Sequence, residues 1–271
     1  MKVCFIGGGN MATAMIGGLI ARGVEPAGIG VVEIDAAARE RLARASGVRC
    51  AATPAEVVPG SDAVVLAVKP QQMRAAAVAA GAHAGQAVLL SIAAGIRLSD
   101  LRRWLARPAV LARAMPNTPA LIGRGITGVY AAPEASPAQR ALVEQILAAA
   151  GDVVWLEREE QLDPVTAISG SGPAYVFLFI EALAQAGESL GLDPEASRRL
   201  ALATFRGAAE LAGRSDESPA ALRARVTSKG GTTERAIAVL ESGGIRELIG
   251  RAAAAAEARA GELAEEFGRD A

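Results

Sequence analysis

The fold of this chain is decided by residues 2–12, Lys2-Val3-Cys4-Phe5-Ile6-Gly7-Gly8-Gly9-Asn10-Met11-Ala12. The apolar start predicts a short buried strand, and the apolar run Thr13 to Ala21 that follows predicts a helix. Between them lies a G-x-G-x-x-G/A turn, in which Gly7 permits the tight turn, Gly9 admits a pyrophosphate and small Ala12 lets helix and strand pack. The pattern predicts that residues 6–12 bind a dinucleotide. A glycine-rich turn that binds nothing is the alternative.

The first half of the chain alternates strand and helix patterns. Strands are predicted near 2–6, 29–33, 62–68, 87–92, 109–114, 126–131 and 152–156, and helices near 10–22, 36–46, 71–80, 98–106 and 137–150. This alternation predicts a Rossmann-type, doubly wound and mostly parallel sheet in an α/β domain, residues 1–160. Ligands of such sheets bind beyond the carboxyl ends of the strands.

The second predicted strand ends at Glu33, where an acid would accept a hydrogen bond from an adenosine ribose. A carboxylate at this position repels the extra phosphate of NADPH, although Arg39 and Arg41 on the next helix can offset that repulsion. We therefore expect NADH or NADPH as cofactor, with NADH used at least as well. In the alternative, Glu33 faces solvent and discriminates nothing.

After about residue 160 the pattern is helical, near 162–190, 194–212, 218–226, 232–241 and 244–267, which predicts an all-α domain over 161–271. Gly170, Gly172 and Pro173 are poor helix formers, so a kink is expected at Pro173, with plain helix packing as the alternative reason for the glycines. The apolar faces of these helices require a partner to bury them.

A second glycine-bearing loop lies in this half, Val226-Thr227-Ser228-Lys229-Gly230-Gly231-Thr232-Thr233, directly before a helical pattern. Free N–H groups and the positive end of a helix dipole make such a loop a seat for a small anion such as a carboxylate. We expect Ser228, Gly230, Gly231 and Thr232 to form this seat. An ordinary helix start capped by Thr232 or Thr233 remains the alternative.

Composition narrows the functional class. A net charge of −1 over 271 residues gives no basic surface, so neither nucleic acid nor an anionic membrane is an expected partner. Three long uncharged stretches, 3–21, 75–96 and 164–180, contain glycine, proline or polar interruptions, and we expect them to be buried elements of a cytoplasmic protein. Cys4 and Cys50 are too isolated for a metal site or a disulfide framework, so no metal is expected.

The chain resembles the pyrroline-5-carboxylate reductase family from end to end. The matching segments are Ile6–Ala12, Ala67-Val68-Lys69-Pro70, Ser91-Ile92-Ala93-Ala94-Gly95, Ala114-Met115-Pro116-Asn117-Thr118-Pro119-Ala120, Ser169-Gly170-Ser171-Gly172-Pro173-Ala174-Tyr175 and residues 226–241. The last of these is the family's signature and is far more specific than the dinucleotide turn.

The resemblance implies hydride transfer from NADPH or NADH to the cyclic imine of 1-pyrroline-5-carboxylate, giving L-proline. It implies that Thr233 is catalytic and binds the ring nitrogen, that Ala67–Pro70 and Ala93–Gly95 line the cofactor cleft, and that the protein is a homodimer, assembled further into a larger ring. Asn117 carries a donor and an acceptor, as a nicotinamide carboxamide does, and lies between two prolines. For Asn117 a structural turn, and for Lys69 a surface position, are the alternatives.

Two other functions remain open at this point. One is a related two-domain imine reductase or hydroxyacid dehydrogenase. Hydroxyacid dehydrogenases share the first domain but use a lysine on the first long inter-domain helix, and residues 161–200 contain no lysine. A non-catalytic dinucleotide-binding protein would not need the intact signature. His83 is the only histidine and lies in a predicted turn, so catalysis must depend on positioning and hydroxyl groups.

Overall fold

The computed structural model describes residues 1–105 and 107–269. Its first part is an eight-stranded sheet, β1 Val3–Ile6, β2 Ile29–Val32, β3 Arg49–Ala51, β4 Ala63–Leu66, β5 Val88–Ser91, β6 Leu111–Met115, β7 Gly125–Ala131 and β8 Gly151–Trp155. The strand order is β3-β2-β1-β4-β5-β6-β7-β8. All neighbours run parallel except β6 and β7, which pair antiparallel. The predicted mostly parallel, doubly wound sheet is confirmed.

The helices of this part are α1 Asn10–Ala21, α2 Ala36–Ser46, α3 Pro54–Val57, α4 Met73–Gly81, α5 Leu98–Leu105 and α6 Pro137–Ala148. Two elements were not predicted, the three-residue strand β3 and the four-residue helix α3. The last residue of the predicted 98–106 helix, Ala106, lies outside the described residues.

Alternate residues of the central strands enter two different hydrophobic clusters. On β1, Val3 and Phe5 belong to the cluster under α1 and α6, whereas Cys4 and Ile6 belong to the cluster under α4 and α5. This alternation follows from the two-residue period of a strand. Because both faces are covered by helices, β1, β2 and β4 have no polar side chain, and the carboxyl ends of the strands form the accessible edge.

The second part is helical: α7 Leu162–Val165, α8 Gly172–Ser189, α9 Pro194–Gly213, α10 Pro219–Arg225, α11 Thr232–Ser242 and α12 Ile245–Arg269. A π-turn at Thr166–Gly170 joins α7 to α8. The predicted kink at Pro173 is wrong, because Pro173 lies in the first turn of α8, where a missing N–H is tolerated. The irregularity precedes it at Gly170, where a side chain would be 2.6 Å from Met115 Cε.

The compact units do not coincide with the predicted division at residue 160. One unit comprises Met1–Ser171 together with Ala255–Ala271, and the other comprises Gly172–Ala254. Helix α12 therefore begins in the helical unit and ends in the sheet unit. The domain division at 160 stays a prediction.

In the helical unit the apolar surface is largely exposed in one chain. Phe177 and Leu178 on α8 are 64% and 63% exposed, and α8 has no buried residue. The expectation that 164–180 is buried is therefore wrong for a single chain. By length and composition the helical stretch Glu159–Ser189 is long and apolar enough to cross a membrane, since an 18-residue window within it has a mean hydropathy of 1.4. The same surface is what a helical dimer interface needs.

Candidate functional site

A cleft of about 660 Å³ opens at the carboxyl ends of β1 and β4, where the strand order of the sheet reverses. Open α/β sheets bind their ligands at this point. The lining combines the glycine turn, the end of β2, the exit of β4 and the face of α4: Ile6, Gly7, Gly8, Gly9, Val32, Glu33, Ile34, Ala52, Pro54, Ala67, Val68, Lys69, Gln71, Gln72, Ala75, Ala76 and Ala79. Eight of the predicted cofactor residues thus line one cleft.

Gly7 makes the turn that brings β1 and β4 together. Its φ is +101°, a conformation that side chains rarely adopt, and an added Cβ would lie 2.7 Å from the carbonyl oxygen of Ala67. Its N–H donates to Val32 O at 2.8 Å, which adds one backbone hydrogen bond between the ends of β1 and β2. Glycine is therefore required here for the fold itself.

Gly9 has a different role. Gly9 is the N-cap of α1, with φ −68° and ψ −178°, and no side chain caps the helix. A Cβ at Gly9 would meet no atom within 4 Å, so the space beside it is open. The first N–H groups of α1 have no intrahelical acceptor and point at this space. Buried Ala12 then packs α1 onto the sheet, as the motif predicts.

The Glu33 carboxylate is bound to the glycine turn. One oxygen accepts from Gly8 N at 3.0 Å and the other from Asp35 N at 2.9 Å. The Arg39 guanidinium donates to Glu33 O at 2.8 Å, so a cation lies at the end of β2. Glu33 is thus partly buried and does not simply face solvent. Arg41 is exposed.

Cys50 lies next to this group, on β3 opposite Val31. Burial raises the pKa of the Cys50 thiol; the Arg39 charge lowers that pKa and the Glu33 charge raises it. The thiol is therefore neutral near neutral pH. Cys4 is fully buried, and burial raises its pKa to about 12.

The exit of β4 forms the wall opposite the glycine turn. Lys69 is exposed and precedes a 3-10 turn that Pro70 begins, and α4 follows. Sequence reasoning missed Gln71, Gln72, Ala75, Ala76 and Ala79 on this wall. The alanines at 75, 76 and 79 share one helix face, and that spacing after Lys69-Pro70 was the available signal.

The two other predicted cofactor segments do not line this cleft. Ala93–Gly95 follows β5, with Ala93 and Gly95 buried. The Asn117 amide is used inside the protein, since Nδ2 donates to Ser169 O at 3.1 Å and Oδ1 accepts from Ile126 N at 3.0 Å. Asn117 therefore fastens the start of β7 and the π-turn to each other, and its binding of nicotinamide stays a prediction. His83 is exposed in the turn after α4.

The signature loop joins α10 to α11 in the helical unit. Gly231, not Thr232 or Thr233, is the N-cap of α11, and no side chain caps this helix. Gly230 has φ +74°, and a Cβ on Gly231 would lie 2.6 Å from Ser228 Oγ. The two glycines therefore let the loop close around the Ser228 hydroxyl. By contrast, Asp35, Ser136, Asp193 and Ser218 cap their helices with side-chain oxygens.

Two expected donors of this seat are engaged within the loop. Gly231 N donates to Ser228 O at 3.0 Å, and Gly230 N donates to Glu234 Oε2 at 2.7 Å. The N–H groups of Thr232 and Thr233, at the first two positions of α11, have no intrahelical acceptor. Together with Ser228 they form the exposed, uncapped end of an eleven-residue helix. The glycines thus shape the loop, whereas the donors that remain at its end belong to Thr232, Thr233 and Ser228.

Comparisons with known proteins show what this chain is similar to. Residues 159–263 match the model for pyrroline-5-carboxylate reductase dimerisation, and residues 2–95 match that for NADP oxidoreductase, coenzyme F420-dependent. The chain is 46% identical over 269 residues to a pyrroline-5-carboxylate reductase of Pseudomonas aeruginosa, covering 99% of this chain and 98% of the relative.

Two solved structures share the whole fold. A pyrroline-5-carboxylate reductase from Coxiella burnetii matches with a TM-score of 0.93 and 40% identity, covering 97% of this chain and 98% of that one. A Plasmodium falciparum pyrroline carboxylate reductase with NADP bound matches with a TM-score of 0.84 and 26% identity, covering 97% and 98%.

Proposed function

From the premise that this chain belongs to the pyrroline-5-carboxylate reductase family, we propose how its residues carry out the reaction. The protein is an NAD(P)H-dependent oxidoreductase that acts on a C=N bond and converts 1-pyrroline-5-carboxylate to L-proline. One observation carries the residue assignment: helices α1 and α11 each have a glycine as N-cap and no side-chain cap. Each is suited to an anion, the first to a pyrophosphate and the second to a carboxylate.

The dinucleotide pyrophosphate binds the free N–H groups of Asn10 and Met11 beside Gly9. The alanine face of α4 and the exposed side chain of Ile34 supply apolar contact for the adenine end of the cleft. Beyond Val68 and Pro70 the cofactor extends to Ala93–Gly95 and Asn117. When bound, the nicotinamide supplies the hydride.

Cofactor choice depends on Glu33 and Arg39. The Glu33 carboxylate is held by two backbone N–H groups and still has lone pairs for a ribose 2′-OH. Arg39 Nη1 is bound to the carbonyl groups of Glu33 and Ile34, so its remaining N–H groups are available to a 2′-phosphate. We propose that both cofactors are accepted, with NADH used at least as well as NADPH.

At the signature loop the substrate carboxylate binds the Ser228 hydroxyl and the N–H groups of Thr232 and Thr233. The Thr233 hydroxyl binds the ring nitrogen and holds the proton there. This arrangement needs no histidine, because the imine nitrogen protonates readily and the enzyme acts by holding ring carbon and cofactor in line. Binding the carboxylate at a dipole end also favours imines that carry this group over imines that lack it.

The chain contains a dimerisation domain, and the apolar surface of α8 lies inside it. We propose that a second copy of the chain covers this surface, that dimers assemble further into a ring, and that the substrate site is completed across the dimer. We also propose a cytoplasmic location.

The carboxylate seat is tested by comparing two substrates, 1-pyrroline-5-carboxylate and 1-pyrroline, which lacks the carboxylate. Ser228→Ala should raise KM for the first by roughly 10- to 100-fold, the loss of one hydrogen bond to a charged group, and leave kcat/KM for the second unchanged. Ser242→Ala is the matched control, since its hydroxyl lies at the far end of α11 and donates to Val239 O. An equal loss with both substrates would refute the seat.

A further inference from the structure

The loop after β5 is in direct contact with the last turns of the C-terminal helix. Gly95 has φ +73°, and a Cβ there would lie 3.0 Å from Phe267 Cδ2 and 3.4 Å from Ala264 N. Gly95 itself is buried. The backbone at Gly95 therefore packs on the Phe267 ring with no space for a side chain between them.

The end of α12 is fixed in place by several independent contacts. Ala260 and Ala264 are 5% and 2% exposed, and Phe267 packs against the hydrophobic cluster under α5. Arg103 Nη2 donates to Gly268 O at 2.6 Å and pairs with Asp100 Oδ1 at 3.1 Å. We call Asp100, Arg103, Phe267 and Gly268 the C-terminal latch.

The latch residues contact the loop between β5 and α5 at two points, Gly95 and Arg97. Asp100 is buried, and its other oxygen accepts from Arg97 N at 3.4 Å, just before α5 begins. The same carboxylate lies 3.1 Å from where a Cβ on Gly268 would be. Residues 93–97 are thus held between β5 and the first turn of α5, with the Phe267 ring against their middle.

We propose that Phe267 is a positioning residue for hydride transfer, because its ring fixes the Ala93–Gly95 loop against which the nicotinamide binds. The proposal rests on the assignment of this loop to the cofactor. A small displacement of the reacting atoms lowers the rate steeply, so a ring that touches neither substrate nor cofactor can still control the chemistry. Helix α12 thereby links the end of the chain to the cofactor loop.

The test uses the full-length protein with Phe267→Ala, Phe267→Leu and Arg103→Gln. Leu142→Ala is the control, a partly buried side chain on α6 that packs against the other hydrophobic cluster. We expect Phe267→Ala to lower kcat/KM for the dinucleotide roughly 10- to 100-fold and to raise the primary deuterium isotope effect on kcat. Phe267→Leu should restore part of the loss, and KM for pyrroline-5-carboxylate should stay close to that of the unmodified protein.

Arg103→Gln changes a half-exposed side chain, so it tests the latch even if Phe267→Ala does not fold. It should produce a smaller loss in the same direction. The proposal is overturned if the isotope effect is unchanged in the latch variants, or if Leu142→Ala changes the kinetics equally. Absence of turnover by the unmodified protein would instead refute the proposed function. In that case dinucleotide affinity tests the latch. The latch predicts a lower affinity in Phe267→Ala, and an unchanged affinity would refute it.

Discussion

Separate replacement of Gly7 and Gly9 by alanine should distinguish the residue that the fold needs from the one that the cofactor needs. The Gly7→Ala methyl must adopt φ +101° and lie 2.7 Å from Ala67 O, so either the turn or the exit of β4 must move. Backbone strain and overpacking each cost about 1–3 kcal/mol, which together lower the free energy of unfolding by about 2–6 kcal/mol. That is a large part of the stability of a typical domain.

Gly9→Ala should give the opposite result. Gly9 has φ −68°, and the added methyl meets no atom within 4 Å. The stability of the folded protein should change little, since the gain of about 0.4–1 kcal/mol from a more restricted unfolded chain is offset by alanine being a poorer N-cap than glycine. The methyl lies where the pyrophosphate approaches, however, and loss of one charged hydrogen bond weakens dinucleotide binding by roughly 10- to 100-fold.

The assay is urea denaturation of both variants without cofactor, followed by titration with NADPH and NADH using the fluorescence of the reduced nicotinamide. If Gly9→Ala binds both dinucleotides like the unmodified protein, the glycine turn is not the pyrophosphate site. If Gly7→Ala is as stable as Gly9→Ala, the close approach of β1 and β4 does not control the fold.

Three further predictions concern single side chains. Thr233→Ala should lower kcat by roughly 10²-fold or more with little change in dinucleotide affinity, as loss of a positioned proton donor requires; a kcat near that of the unmodified protein would remove Thr233 from the mechanism. Glu33→Ser should shift the ratio of kcat/KM values toward NADPH, and a strong NADPH preference in the unmodified protein would show that Glu33 does not discriminate. The pKa of the Cys4 thiol is about 12 in the folded chain and about 9.0 in the unfolded chain. Burial of the neutral thiol therefore stabilises the fold fully below pH 9, and this contribution is lost as the pH rises toward 12. Denaturation midpoints measured in that alkaline range should fall less steeply in Cys4→Ala, and identical slopes would contradict the burial effect.

The residues that sequence reasoning placed correctly are those with local rules. The glycine turn, the exit of β4 and the end of β2 each follow a buried strand, so parallel pairing brings them to one cleft. The signature loop was located by its glycines and by the apolar period of α11. Strand β3 was missed because Arg49–Ala51 has no pattern of its own and becomes a strand only by pairing with β2.

Other features depend on tertiary contacts that no local pattern shows. The antiparallel β7 follows from the short connection 116–124, which is too short for a crossover helix. The Asn117 amide oxygen and nitrogen both hydrogen-bond to backbone groups, which lie nine and 52 residues away in the sequence. The last turns of α12 belong to the sheet unit because Ala260 and Ala264 are buried and Phe267 packs against a hydrophobic cluster of that unit. In sequence these residues have the same pattern as the apolar face of any other helix.

Turnover of 1-pyrroline-5-carboxylate by the purified protein tests the central claim most directly. Oxidation of the reduced dinucleotide and formation of proline are measured together in one reaction, with NADPH and NADH in parallel. We predict one proline for each dinucleotide oxidised, and no oxidation without the imine. A folded protein that binds the dinucleotide but forms no proline would contradict the account.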